Sequence, residues 1–193
     1  MFIDYLTLIM INLVAGTALL AYYIAFGLDA KDQRSYAAGF GLVGLLGLVL
    51  GLTLTFNWPL PGSYNVPFGE TTTLFGAVFL GTGIALAMGW DLIPVSVYSF
   101  FAGIDAVLVG IRLISLNMTQ EPLISGAGFI VAGLGGIFAF PFLKWFKGNK
   151  FLRYAGALVV LVSAAIWAVT FYGALWSHMA SFAKYLPPTM ITK

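Results

Sequence analysis

The chain has 193 residues, 61% of them hydrophobic and 8% charged. Soluble domains carry roughly 25% charged residues, so this composition cannot clothe a soluble surface and points to a helical membrane protein. A net charge of +2 gives no ground for a nucleic-acid partner, and the lack of cysteine excludes disulfides and thiolate metal sites. The single histidine, His178, cannot build a bis-histidine haem or a metal centre within one chain, and no cofactor is expected.

A helix needs about 20 apolar residues to cross ~30 Å of hydrocarbon. On that measure the expected fold is all-α: a polytopic membrane protein, a six-transmembrane-helix bundle forming one domain over residues 1–193. The spans fall at about 3–28, 35–56, 71–89, 93–116, 123–143 and 151–176. The start, MFIDY, is acidic rather than basic and 13–28 offers no clear cleavage site, so no cleavable signal is expected.

The first span carries Asn12 in its body, where an amide is expected to bond a neighbouring helix. The second reads GFGLVGLLGLVLGL, with Gly39, Gly44, Gly47 and Gly51 on it. Small residues let helix backbones approach closely; the alternative is a glycine-rich face lining a pore. The stretch Asn57–Glu70, NWPLPGSYNVPFGE, is expected to be the longest outer loop, stiffened by Pro59, Pro61 and Pro67 and turning at Pro61-Gly62. Trp58, Tyr64, Phe68 and Glu70 are its candidate gate residues; the plain alternative is an interfacial loop.

The fourth span holds the most informative polar face. Tyr98, Asp105 and Arg112 are seven residues apart and share one side of a helix. A carboxylate in mid-span is expensive and is expected to face the bundle interior or a water-filled path. Tyr98, Asp105, Arg112 and Asn12 are therefore the pore or substrate-path candidates, with Asp105 expected to meet Asn12 or Arg112. The alternative is that Arg112 snorkels to the interface and Asp105 is a hydrogen-bonded packing residue. Ser96 and Ser99 are expected to bond back to their own backbone. In the fifth span Gly128, Ala132 and Gly136 are four apart, a second close-packing pattern. In the sixth, Trp167 is mid-span and expected to face the bundle, whereas Trp58, Trp90, Trp145 and Trp176 stand at span ends.

Orientation follows lysine and arginine in the short loops. Lys31 and Arg34, and Lys144, Lys147, Lys150 and Arg153, flank loops on one side, which is expected to face the cytoplasm. Both termini then lie outside; Lys184 and Lys193 of the tail oppose this weakly. The expected location is the cell membrane.

The stretch G-W-D-L-I-P-V-S-V-Y-S-F-F-A-G-I-D resembles the corresponding hairpin of the amide and acid-gated urea channel family, which runs roughly G-x-D-x-x-P-x-S-x-Y-S-x-F-x-x-I-N. Gly89, Asp91, Pro94, Ser96, Tyr98, Ser99, Phe101 and Ile104 match, and Asp105 stands where that family has asparagine. The resemblance implies a small-solute channel. That family has a buried glutamate in its last span and a histidine-rich outer loop. Neither GALVVLVSAAIWAVTFYGALW nor the 57–70 stretch supplies them, so acid gating of that kind is not expected. The whole chain, above all FNWPLPGSYNVPFGE and MGWDLIP, also resembles a family of six-span prokaryotic membrane proteins of unknown function.

Together these readings favour a channel or facilitator for a small solute, assembled as a homo-oligomer in the lipid bilayer. The alternative is an accessory structural subunit of a larger respiratory or photosynthetic membrane complex, with other membrane subunits as partners. An enzyme is not expected, because no nucleophile, acid–base pair or metal-ligand set has motif spacing.

Overall fold

The computed structural model describes residues 5–181. Ile3, where the first span is expected to begin, and the tail residues Lys184 and Lys193 lie outside them. The described residues contain no strand. Six α-helices follow one another: α1 (Tyr5–Tyr22), α2 (Ala37–Asn57), α3 (Thr71–Met88), α4 (Ile93–Ser115), α5 (Pro122–Pro141) and α6 (Lys150–Ala180). With their flanking turns they form six stretches long and apolar enough to cross a membrane: Leu6–Gly27, Arg34–Asn57, Gly62–Met88, Ile93–Ser115, Pro122–Phe146 and Lys150–Ala180. The protein is a polytopic six-helix membrane bundle.

Local chemistry sets the breaks. Gly89, at φ +68°, closes α3 in the left-handed conformation that a Cβ disfavours. The Asp91 carboxylate accepts from the Ile93 amide at 3.0 Å, and Pro94 stands in the first turn of α4, where its missing N–H costs nothing. Asn149 caps α6 by accepting from the Leu152 amide at 3.1 Å. At the first turn, the Tyr23 hydroxyl donates to Gln33 at 2.5 Å while the Gln33 amide donates to the Leu28 carbonyl at 3.1 Å.

One boundary differs from expectation. The third span begins at Gly62 rather than 71, because Gly62–Tyr64 is a 3-10 turn and Val66–Glu70 a π-helical turn running directly into α3. Pro67 lies in the first turn of that π segment, where proline is tolerated. Only 58–61 is left as a true connection. Its hinge is Trp58, held at φ +46°, an uncommon conformation for a bulky residue.

Packing is dominated by two antiparallel hairpins, α2 with α3 and α4 with α5, and by α1 against α6. Between helices in lipid the attraction comes from close van der Waals contact rather than from the hydrophobic effect. Each hairpin achieves it with glycines seven residues apart. In the first hairpin, Gly44 and Gly51 of α2 lie against the α3 backbone at Leu80 and Thr73, and Gly76 and Gly83 of α3 lie against α2 at Leu48 and Gly41. In the second, a Cβ on Gly103 would sit 2.5 Å from the Gly133 carbonyl, and one on Gly110 2.6 Å from the Gly126 carbonyl. The four-residue row expected in α5 is divided between two neighbours. Gly136 packs on Ser99 and Gly103 of α4, whereas Gly128 packs on the Trp167 ring of α6.

The loops at Asp29–Gln33, Gly89–Leu92 and Lys147–Asn149 share one end of the bundle, the basic end. There the buried Arg153 of α6 pairs with Asp29, beyond the end of α1. The opposite end carries the connections at 58–61 and 116–121.

Candidate functional site

Between the two hairpins, α1 and α6 runs a cavity of about 1710 Å³. At the end opposite the basic loops it is bounded by Pro59–Pro61, Tyr64, Phe68, Glu121 and His178; at the basic end by Leu28, Leu92, Phe142 and Phe146. Its wall is largely apolar, with scattered polar groups that include Asn12, Thr17, Thr71, Thr72, Thr82, Ser96, Ser99, Ser125, Ser163 and Trp167. Glu121, at one mouth, is the only aspartate, glutamate, lysine or arginine among the described residues of its wall. A wall of this kind, apolar with scattered polar groups, suits a small ligand and offers an ion little counter-charge along its length.

The segment expected to be a loop lies over this first end of the cavity. Asn65, fully buried, ties it down: its amide donates to the carbonyls of Leu60 (2.6 Å) and Gly62 (3.5 Å), and its oxygen accepts from the Leu60 amide (3.0 Å). Tyr64 stacks on Phe68 with ring centroids 6.4 Å apart, and Phe68, Phe129, Trp167 and Phe171 continue as a chain of ring contacts into the bundle. Tyr64 and Phe68 thus line the cavity. Trp58 and Glu70 are exposed and do not line it. Asn65 escaped the sequence reading, although an asparagine five residues after Leu60 in a Pro-Gly turn is a recognisable backbone anchor.

The face of α4 turned to the cavity is corrected by the structure. Ser96, Ser99, Ala102 and Ala106 line it. Tyr98, Asp105 and Arg112 do not. Tyr98 is half-exposed and borders a shallow groove against α3, with Ala77, Gly81 and Pro94. Arg112 is exposed and donates to Ser115 of its own helix at 3.4 Å, so it forms no ion pair with Asp105. The physical reason is that α4 spends its small residues, Gly103 and Gly110, on contact with α5. That rotates the 98–105–112 row toward α3 and the bundle exterior.

Asp105 finds its partner there. The Thr71 hydroxyl of α3 donates to Asp105 Oδ2 at 3.0 Å, and Thr71 itself lines the cavity. Asn12, expected as a possible partner of Asp105, instead donates to the Val43 carbonyl of α2 at 2.9 Å. It lies on the cavity wall, as does Ser99, whose hydroxyl reaches the Gly136 carbonyl across the α4–α5 seam at 3.5 Å. Ser96 bonds back to the Ile93 carbonyl. No cluster of three or more histidine, cysteine, aspartate or glutamate side chains that could hold a metal occurs among the described residues.

Two solved structures share this fold. The closed-state structure of the Helicobacter pylori urea channel superposes with a TM-score of 0.68 at 20% identity, covering 90% of this chain and 98% of that one. A crystal structure of the urea channel from the same organism gives 0.63, also at 20% identity, covering 84% and 97%. None of the curated proteins matches the chain by sequence. The model of one family matches residues 1–181, nearly the whole chain, and on that extent the protein belongs to the DUF981 family, described as proteins of unknown function.

Proposed function

We propose that the protein is a passive channel or facilitator for small uncharged solutes, working as a homo-oligomer in the cytoplasmic membrane. The observation that carries this reading is the cavity, whose wall reaches from the segment over its first end, which serves as a lid, to the basic end with a single carboxylate, at one mouth. A charged solute entering it would lose water without gaining a counter-ion. An uncharged one would find apolar walls and occasional hydrogen-bond partners. The fold shared with the Helicobacter pylori urea channel supports the reading. The basic end, with Lys31, Arg34, Lys144 and Lys147, faces the cytoplasm by the positive-inside rule, which puts both termini outside.

The test is solute entry into proteoliposomes, followed by stopped-flow light scattering. Urea, formamide and glycerol should be compared with sodium and formate. Entry of at least one uncharged solute well above that of protein-free vesicles, with no ion current, is the expected result. Vesicles no more permeable than controls to every solute would overturn the proposal.

A further inference from the structure

Within the cavity, one pair of groups stands apart. Ser163 Oγ and Trp167 Nε1, one turn apart on α6, are both buried and both without a hydrogen-bond partner among the described residues. Both residues line the cavity. Buried polar groups in native proteins are nearly always paired. The contrast with other hydroxyls of the bundle is sharp: Thr17, Thr53, Thr55, Thr73, Thr82 and Thr170 each donate to the carbonyl four residues back. Ser163 does not use that easy intrahelical option.

The Trp167 ring is held firmly. It meets Phe129 edge-on at 5.5 Å and Phe171 at 4.4 Å, and it fills the space left by the missing side chain of Gly128. The indole adds an N–H, which can only donate, and the serine hydroxyl one turn below can donate beside it.

We infer that Ser163 and Trp167 form a selectivity site in the channel, a pair of donors for the oxygen acceptor of one small uncharged solute. The inference rests on the channel reading above. Both atoms are shielded in this structure, so a solute gains them by displacing the side chains beside them. Once there, its oxygen satisfies two groups that are otherwise dry and unpaired. A solute whose acceptor is weak leaves them so, and passes less readily. A carbonyl and a hydroxyl oxygen both carry the required chemistry.

The experiment compares urea with thiourea, and acetamide and ethylene glycol with thioacetamide, in proteoliposomes. The parent protein is set beside Trp167→Phe, which removes the N–H together with part of the ring, and Ser163→Ala, which removes the hydroxyl alone. The expected result is that the parent favours the oxygen solutes and that each variant lowers this preference, read as the ratio of oxygen-solute to thio-solute entry, by about fivefold, the value of one ordinary hydrogen bond. Loss of preference for acetamide alone assigns a carbonyl; loss for ethylene glycol alone assigns a hydroxyl. Independently of flux, a variant keeping Trp167 as its sole tryptophan should shift its emission to the red on adding acetamide or ethylene glycol. Such a shift without any flux would sink the channel reading and spare the site. Parent-like selectivity in both variants, or neither shift nor flux, would overturn the site itself.

Discussion

The Thr71 hydroxyl donates to Asp105 Oδ2 at 3.0 Å, joining the middle of α4 to a residue on the cavity wall. This bond gives a mid-span carboxylate a partner that is not a cation. It fixes α3 against α4, a contact much thinner than either glycine-packed hairpin.

The first prediction follows from that geometry. Asp105→Asn keeps an acceptor for Thr71 and should melt close to the parent in detergent. Asp105→Ala removes it and should cost about 1–3 kcal/mol, read as a lower midpoint in a thermal melt. Arg112→Gln should do nothing to either, because Arg112 bonds only within its own helix. A rescue of Asp105→Ala by Arg112→Gln would show instead that the two charges are coupled.

The second concerns Arg153 and Asp29. Arg153 is buried, while Asp29 is half-exposed, so the pair has a dry cation and a partly wet anion. Asp29→Ala should destabilise the junction of α1 and α6 by about 2 kcal/mol, below the cost of breaking a fully buried pair. Adding Arg153→Met to that variant should restore most of the loss. A melt in which the double variant is no better than Asp29→Ala would contradict this account.

The third uses the glycine seams. At Gly103 and Gly133 a Cβ would strike the facing carbonyl at 2.5 and 2.6 Å, and backbone cannot move aside cheaply. Gly103→Ala or Gly133→Ala should cost about 1–3 kcal/mol. Gly41→Ala, with nothing within 4 Å of its Cβ, should be neutral or stabilise by up to ~1 kcal/mol through helix propensity. Equal melts for all three variants would remove close glycine packing as the basis of the hairpins.

The six spans were legible because apolar runs and their charged or glycine-proline breaks are one-dimensional signals. Which face of α4 meets the cavity was not. Both faces are largely apolar, and the choice depends on where α5 demands small residues, at Gly103 and Gly110. The price of a buried carboxylate suggested that Asp105 points inward, yet one hydroxyl from α3 was enough to hold it elsewhere. The helical start of the third span was hidden for a similar reason. Pro61, Gly62 and Pro67 read as loop, but all stand at positions where a helix can begin. Trp167 could be placed inside from its mid-span position alone. That its N–H lacks a partner depends on three helices at once.

The fourth prediction is topological. The chain has no cysteine, so single cysteines can be introduced cleanly. Pro61→Cys lies at the lid end and Lys147→Cys at the basic end. An impermeant thiol reagent added to intact cells should label Pro61→Cys and reach Lys147→Cys only after lysis. The reverse pattern would invert the proposed orientation while leaving the fold intact.

The last prediction tests the lid. Asn65 is fully buried and makes three hydrogen bonds that close the turn from Leu60 to Gly62, holding Pro59, Leu60, Pro61 and Tyr64 over the cavity mouth. Asn65→Asp keeps the acceptor to the Leu60 amide but exchanges the amide donor for an oxygen facing two carbonyls. Asn65→Ala loses all three bonds. Both should loosen the lid, Asn65→Asp at least as much, because an unpaired carboxylate oxygen against carbonyl oxygens is repulsive as well as unsatisfied. The rest of the bundle is held by the glycine seams, so the thermal midpoint should fall by only a few degrees. Solute entry should rise, most for the larger solutes, if the stacked Tyr64 and Phe68 rings limit passage. Hydrogen exchange at the Leu60 amide, slow in the parent, should become fast in Asn65→Ala. Fast exchange with unchanged flux would mean that the narrowest point lies deeper, beside Phe129 and Trp167. Unchanged exchange would mean that the proline-rich segment is held over the mouth without Asn65.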